Sequence, residues 1–245
     1  MSEMNERSDY SSNYKVWDLP VRLFHWSLAL LVLLLWLTGE FGGMDVTVSL
    51  PFKGETYFSN MDIHALAGQG VFVLVVFRLL WGIWGSTTAR FSHFVHRPST
   101  VFAKLSELLK GGLSVTVGHN PLGGAMVVAL LLLLAAQSVT GLFSADDFFF
   151  EGPLAHLVSE KSVKTISEIH HLIFSILEVL IILHLLAIIF YRLRGHDLVR
   201  AMFTGRRDID ASSGPQSESL NFAPAWLALV SILCAAAALL ILRAL

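Results

Sequence analysis

One apolar run, EIHHLIFSILEVLIILHLLAIIFY, contains two histidines fourteen residues apart, His170 and His184. A helix turns about 100° per residue, so fourteen residues return to within about 40° of the starting face and climb about 21 Å. The hydrocarbon core of a bilayer is roughly 30 Å thick. One face of a single membrane helix therefore offers an imidazole near each side of the bilayer.

Five segments of the 245-residue chain are apolar and long enough to span a bilayer, roughly 21–38, 64–85, 122–143, 169–191 and 224–243. Only 15% of the residues are charged, whereas a soluble domain is typically near 25% charged. Backbone polar groups in lipid need intrahelical partners, so we predict an all-α integral membrane protein. We expect a polar cytoplasmic tail at 1–14, a four-helix bundle at 15–207, a polar linker at 208–221 and a fifth, C-terminal transmembrane helix within 222–245. No internal repeat is evident.

Composition excludes several classes of site. The net charge of −2 and the lack of a basic arm do not favour nucleic-acid binding. The single cysteine, Cys234, excludes intramolecular disulfides, a four-cysteine iron–sulfur site and the CxxCH attachment of c-type haem. Residues 1–15 are polar, so we expect no cleavable signal peptide ahead of the first apolar segment. Any haem in this chain is therefore held without covalent attachment.

Basic residues predict the orientation. The loop 86–120 contains four lysines and arginines, and five arginines follow the fourth segment between 192 and 207. The connections 39–62 and 144–168 contain one and two lysines. We therefore expect a cytoplasmic N-terminus, cytoplasmic basic loops and an outer C-terminus. Trp17, Trp26, Trp81 and Trp84 then fall near the cytoplasmic interface, as aromatic belts do.

This orientation pairs four histidines by depth. His25 and His184 share the cytoplasmic side, and His64 and His170 share the outer side. Neutral imidazole is a usual axial ligand of haem iron, so we predict these four as ligands of two haem b groups. The adjacent His171 lies about 100° round the helix from His170 and faces elsewhere. A single membrane histidine often only bonds a neighbouring carbonyl or hydroxyl, but four at matched depths favour haem.

Two arginines and three glycines allow two interpretations each. Arg78 lies inside the second segment, and Arg22 lies one turn before the first histidine. Either arginine can extend to the membrane surface or bind a haem propionate. Gly39, Gly68 and Gly141 either let helices pack closely or make room for a flat macrocycle.

The stretch GHNPLGG, residues 118–124, opens the third segment. One interpretation is a turn that leads into a helix, with Asn120 before Pro121. The other is a polar pocket beside the cytoplasmic haem, in which Asn120 and local backbone N–H groups donate hydrogen bonds to the carbonyls of a quinone.

The chain resembles the bacterial cytochrome b561 superfamily in its motifs DLPVRLFHW, DIHALAG, RLLWG, GHNPLGG and IHH-x12-H. More narrowly, it is similar to the b-type cytochrome subunits of nickel–iron hydrogenases and formate dehydrogenases, in the branch of stand-alone cytochrome b/b6 domain proteins. The resemblance covers about residues 14–207. It implies a four-helix bundle with two b haems and a quinone site beside the cytoplasmic haem. The implied haem ligands are His25, His64, His170 and His184, and the implied quinone residues are Gly118, His119 and Asn120. The fifth helix departs from the usual pattern of such subunits.

We therefore expect a membrane di-haem cytochrome that carries electrons between an outer-side partner and the quinone pool. The expected partner is a periplasmic c-type cytochrome or a dehydrogenase or hydrogenase subunit. A superoxide:quinone oxidoreductase of the same superfamily is one alternative, with Lys161 and Lys164 as its cationic outer pocket. A non-redox membrane protein, such as a transporter or scaffold, is the other. Whether the chain is an electron-transfer subunit or itself an enzyme stays open.

Overall fold

The computed structural model describes residues 11–50, 54–112, 116, 118–146, 150–210 and 220–244. Residues 1–10 of the predicted tail and 211–219 of the predicted linker lie outside this range. In chain order, the named strands and α-helices are β1 (Ser11–Lys15), α1 (Leu19–Glu40), β2 (Val46–Leu50), β3 (Gly54–Phe58), α2 (Asn60–Trp84), α3 (Phe91–Phe94), α4 (Pro98–Leu109), α5 (Pro121–Phe143), α6 (Glu160–Leu193), α7 (Leu198–Thr204), β4 (Arg206–Asp210) and α8 (Ala225–Arg243).

Five of the described helices are long and apolar enough to cross a membrane, namely α1, α2, α5, α6 and α8. They coincide with the five predicted segments, which confirms the all-α membrane fold. Large apolar side chains on these helices are exposed, as lipid-facing positions require; Leu30 on α1 is 68% exposed and Leu132 on α5 is 66% exposed.

Side-chain caps fix where two of these helices begin. The Asp18 carboxylate accepts a hydrogen bond from the backbone N–H of Val21 at 2.7 Å, at the start of α1. Asn120 accepts one from the N–H of Gly123 at 2.7 Å, and Pro121 is the first residue of α5. Both helices therefore begin at a cap followed closely by proline.

The fourth span is longer than its apolar segment. α6 contains 34 residues, which corresponds to a length of about 51 Å, whereas the sequence predicted 169–191. The additional first turns contain the exposed Lys161 and Lys164 and extend the helix beyond the apolar segment. The helix is continuous from His170 to His184, so the fourteen-residue spacing lies on uninterrupted α-helix.

The chain divides into two compact units. The first contains residues 1–23, 79–130 and 180–228. It includes an antiparallel sheet in which β1 pairs with β4, with Ser11 opposite Asp210. Its core includes Trp81, which is fully buried and donates its indole N–H to Asp18 at 3.0 Å. Trp17 is also buried, so these two tryptophans pack inside the protein and do not form the predicted aromatic belt against lipid.

The second unit contains residues 24–78, 131–179 and 229–245. The connection between α1 and α2 forms the antiparallel hairpin β2–β3, which the sequence analysis did not predict. Val71 and Val75 of α2 are buried in this unit, and Thr38 of α1 is fully buried. The unit thus buries polar side chains among apolar ones, and Thr38 is one of them.

The fifth span is packed rather than loosely attached. Ala235 on α8 is fully buried. In the first unit, the backbone carbonyl of Asn221 accepts a hydrogen bond from the N–H of Thr87 at 3.0 Å. In the second unit, Arg243 at the end of α8 donates to the side-chain oxygen of Gln69 at 3.3 Å. The segment that leads into α8 and the last turn of α8 are therefore each hydrogen-bonded to another part of the protein.

Candidate functional site

His64 on α2 is held by a buried hydroxyl of α1. Its Nδ1 lies 2.9 Å from Oγ1 of Thr38. That hydroxyl already donates its proton towards the backbone carbonyls of Leu34 at 2.8 Å and Leu35 at 3.1 Å. The hydroxyl therefore accepts from the imidazole, so Nδ1 holds the proton and Nε2 retains an electron pair.

His170 on α6 has the same arrangement with α5. Its Nδ1 lies 3.0 Å from Oγ1 of Thr140, which donates to the backbone carbonyl of Ala136 at 2.9 Å. The amide nitrogen of Gln137 lies 3.0 Å from Nε2 of His170. An amide nitrogen only donates, so Nε2 is the acceptor. Both contacts fit the tautomer with the electron pair on Nε2.

A glycine follows each of these threonines and leaves space for the ring. A methyl group at Gly39 would lie 3.5 Å from Cε1 of the histidine that Thr38 contacts. A methyl group at Gly141 would lie 3.1 Å from Cε1 of the histidine that Thr140 contacts. Gly68 meets only a leucine methyl group, at 4.0 Å. Gly39 and Gly141 therefore allow close approach of an imidazole, and the sequence analysis did not connect these Thr-Gly pairs with the histidines.

His64 and His170 suit an iron ion that is already bound by a porphyrin ring. Among the described residues, no group of three or more His, Cys, Asp or Glu side chains is arranged to hold a metal ion. Haem supplies four equatorial nitrogens and needs only axial ligands, which are often neutral imidazoles oriented by a hydrogen bond at the other ring nitrogen. The Nε2 electron pairs of His64 and His170 meet that need.

The other predicted ligands lie in different units. His25 is half-buried in the second unit, and its ring stands nearly perpendicular to that of Trp26, at 5.0 Å between centroids. His184 is half-buried in the first unit. The pairing of His25 with His184 therefore remains a prediction.

The adjacent histidines of α6 differ in their surroundings. His170 is half-buried and contacts α5, as the helical angle predicts. His171 is exposed, with its ring centroid 6.2 Å from that of His170. Because α6 has no bulge here, the two rings keep different faces of the helix.

The two arginines are enclosed to different degrees. Arg78 is only 3% exposed, so its side chain ends inside the protein rather than at the surface. Arg22 donates through Nη1 to the backbone carbonyl of Phe203. Its Nε is buried and has no acceptor among the described residues. An Nε–H of this kind can accommodate an anionic oxygen.

The stretch that opens α5 is brought together in the first unit. Gly118 has a φ of +105°, which favours glycine. The ring of His119 packs between Trp17, at 4.6 Å, and Phe94, at 4.8 Å. The ring of His119 thus belongs to an aromatic cluster.

Asn120 has two structural partners. Its side-chain oxygen caps α5, and its amide nitrogen donates to the hydroxyl of Tyr191 at 2.6 Å. Arg207 donates to the backbone carbonyl of Thr116 at 3.0 Å. Burial lowers the pKa of the Arg207 guanidinium, and the neighbouring Tyr191 opposes that change. The helix-entry interpretation of Asn120 is therefore confirmed, and Tyr191 is a polar neighbour that the sequence analysis did not name.

The model of the prokaryotic cytochrome b561 family matches residues 16–205. The chain belongs to this family. It is a multi-pass membrane b-type cytochrome and binds haem b, which confirms the family resemblance and the nature of the cofactor. The matched residues end before α8, so the fifth span lies outside the family region.

Two relatives illustrate the similarity. The probable Ni/Fe-hydrogenase 1 B-type cytochrome subunit of Escherichia coli (strain K12) is 29% identical over 150 residues, which cover 56% of this chain and 63% of that protein. The probable Ni/Fe-hydrogenase B-type cytochrome subunit of Rhizobium leguminosarum bv. viciae is 34% identical over 137 residues, covering 51% of this chain and 57% of that protein. The chain therefore spans less than two thirds of the length of these relatives. No solved structure matches the chain.

One charged residue in the spans of this cytochrome was missed. Glu178 on α6 accepts a hydrogen bond from the indole N–H of Trp36 on α1 at 3.0 Å. A carboxyl group inside a membrane span is costly and usually has a named partner. The signal was readable, because Glu178 interrupts the apolar run between His170 and His184.

Proposed function

We propose that this cytochrome binds two haem b groups and carries electrons between an outer-side redox partner and the quinone pool. The observation that supports this most strongly is the shared tautomer of His64 and His170, each with its electron pair on Nε2; iron bound at His170 would take the place of the Gln137 amide. The proposed membrane is the bacterial cytoplasmic membrane, with the N-terminus in the cytoplasm, as the distribution of basic residues favours.

We assign His64 and His170 to the outer haem, and His25 and His184 to the inner haem. Each haem, held by two of these histidines, would supply reversible one-electron transfer. The threonines orient the outer ligands, and the apolar spans exclude water from them. Arg22, through its buried Nε, and Arg78 are proposed to bind propionates.

For the quinone we propose a site near the start of α5, formed by Gly118, His119 and Asn120 together with Tyr191. Asn120 donates to the Tyr191 hydroxyl, so the phenol's own proton can point to a quinone carbonyl. His119 is held by aromatic neighbours and adds a ring at the same end of the helix.

The proposed partner is a hydrogenase or related dehydrogenase subunit, or a periplasmic c-type cytochrome. The printed names of the relatives, subunits of Ni/Fe hydrogenase, support the first of these. Co-purification of the tagged cytochrome from its native membranes, followed by hydrogen-dependent haem reduction, tests it. Haem that hydrogen does not reduce in the complex would contradict a hydrogenase partner.

The quinone proposal is tested with Tyr191→Phe, which keeps the Asn120 cap intact. We expect slower reoxidation of chemically reduced haem by a short-chain quinone, with unchanged haem content. Tyr57→Phe is the matched control, because Tyr57 is exposed on β3 in the other unit. Equal reoxidation rates in wild type and Tyr191→Phe would contradict a role for this phenol.

A further inference from the structure

We propose that Thr38 and Thr140 are positioning residues that set the tautomer of His64 and His170 and lower the reduction potential of the haem these histidines hold. This inference rests on the proposed ligation. The structural basis is one short contact in each pair. Oγ1 of Thr38 lies 2.9 Å from Nδ1 of His64, and Oγ1 of Thr140 lies 3.0 Å from Nδ1 of His170.

Each threonine hydroxyl accepts a hydrogen bond from its histidine, because its own proton is used elsewhere. Thr38 directs its single proton to carbonyl oxygens one turn back on α1, and Thr140 does the same on α5. Neither hydroxyl has a second proton to give, so the imidazole must donate from Nδ1. A valine has the same shape as threonine but lacks this acceptor.

Polar contacts also hold the ends of both threonine helices. The amide nitrogen of Asn60 on α2 donates to the backbone carbonyl of Thr38 at 2.8 Å. Ser167 on α6 donates to the backbone carbonyl of Ala145, just after α5, at 3.2 Å, and accepts from the Ala145 N–H at 3.1 Å. These contacts lie four residues before His64 and three before His170. Both hairpins therefore combine a Thr-Gly pair, a ligand histidine and a polar clamp.

The expected effect on potential follows from ligand basicity. Donation from Nδ1 to an oxygen increases electron density at Nε2, which stabilises ferric iron. Loss of the hydroxyl therefore raises the potential. We expect less than a tenfold change in the reduction equilibrium, which corresponds to less than about 59 mV for one electron.

The experiment compares Thr38→Val, Thr140→Val and the double variant with wild type by redox titration and by electron paramagnetic resonance of the ferric haems. We expect the potential of one haem to rise in each variant and further in the double variant, with altered low-spin g values for that haem alone. Thr38→Ser and Thr140→Ser keep the hydroxyl and should restore both readouts. Thr165→Val is the matched control, since Thr165 is exposed on α6 and its hydroxyl donates only to the carbonyl of Lys161 among its described contacts.

Three outcomes overturn the inference: unchanged potentials in the valine variants with full haem, equal shifts of both haems, or serine variants that behave like valine. A valine variant could lose one haem and so leave no potential to measure. The serine variants then test the positioning role, and a full haem content at the wild-type potential in the serine variant supports it. Wild-type protein without two b haems would instead refute the proposed function. The two failures are therefore distinguishable.

Discussion

Replacing His170 by alanine should remove one haem and leave the other. The substitution deletes the proposed outer ligand and the ring nitrogen that contacts the Thr140 hydroxyl at 3.0 Å. Losing that hydrogen bond costs about 0.5–1.5 kcal/mol of unfolding free energy. We therefore expect haem content to fall from two to one per chain, with a measurable but limited loss of stability.

His171→Ala is the matched control on the same helix. Its side chain is exposed, so the change in unfolding free energy should stay within about 0.5 kcal/mol. Both haems should remain, with at most a modest shift in one potential. The two variants thus separate ligand loss from a general effect of removing a histidine at this end of α6.

The assay is the pyridine haemochrome divided by protein concentration, together with the amplitude of the reduced-minus-oxidised α band. His170→Ala should show about half the wild-type amplitude, and His171→Ala the full amplitude. If His171→Ala loses a haem and His170→Ala does not, the assignment from the continuous helix is refuted.

Three further predictions concern the surroundings of the site. Gly39→Ala should keep full haem, because the added methyl group would lie at an ordinary 3.5 Å from the ring of His64. Gly141→Ala should lower haem retention during purification, because its methyl group would lie 3.1 Å from the ring of His170. Equal retention in the two variants would contradict this difference. Asp18→Ala should lower the Tm, because it removes two contacts. The helix cap is worth about 1 kcal/mol, and loss of the acceptor of the buried Trp81 indole costs about 1–3 kcal/mol. An unchanged thermal transition would contradict both roles of Asp18. Truncation after Asp210 removes α8, which has no histidine, so both haems should remain at a lower Tm; loss of haem would place α8 in the haem-binding core.

The five spans were predictable because hydrophobicity over about 20 residues is a local signal. The extra turns of α6 were not, since exposed lysines in that region end the apolar pattern although the helix continues. The pairing of β1 with β4 joins residues almost 200 positions apart and has no local signature. Trp17 and Trp81 were misassigned because an aromatic residue near a span end suits either lipid or a buried core.

The candidate ligands were predictable from spacing, but their partners were not. Threonine is common in membrane helices, and nothing in LTGE or VTGL indicates a histidine 26 or 30 residues later. That contact is tertiary, so it required the packing of α1 on α2 and of α5 on α6. The glycines were noted for their small size, and the structure supplied the reason for two of them.

The most direct test of the account is the haem content of the purified wild-type protein, measured as acid-extractable haem b per polypeptide, with electron paramagnetic resonance to establish axial ligation. We expect two extractable b haems per chain, both low-spin with two histidine ligands. A stoichiometry of one, or a high-spin haem with an open axial position, would contradict it.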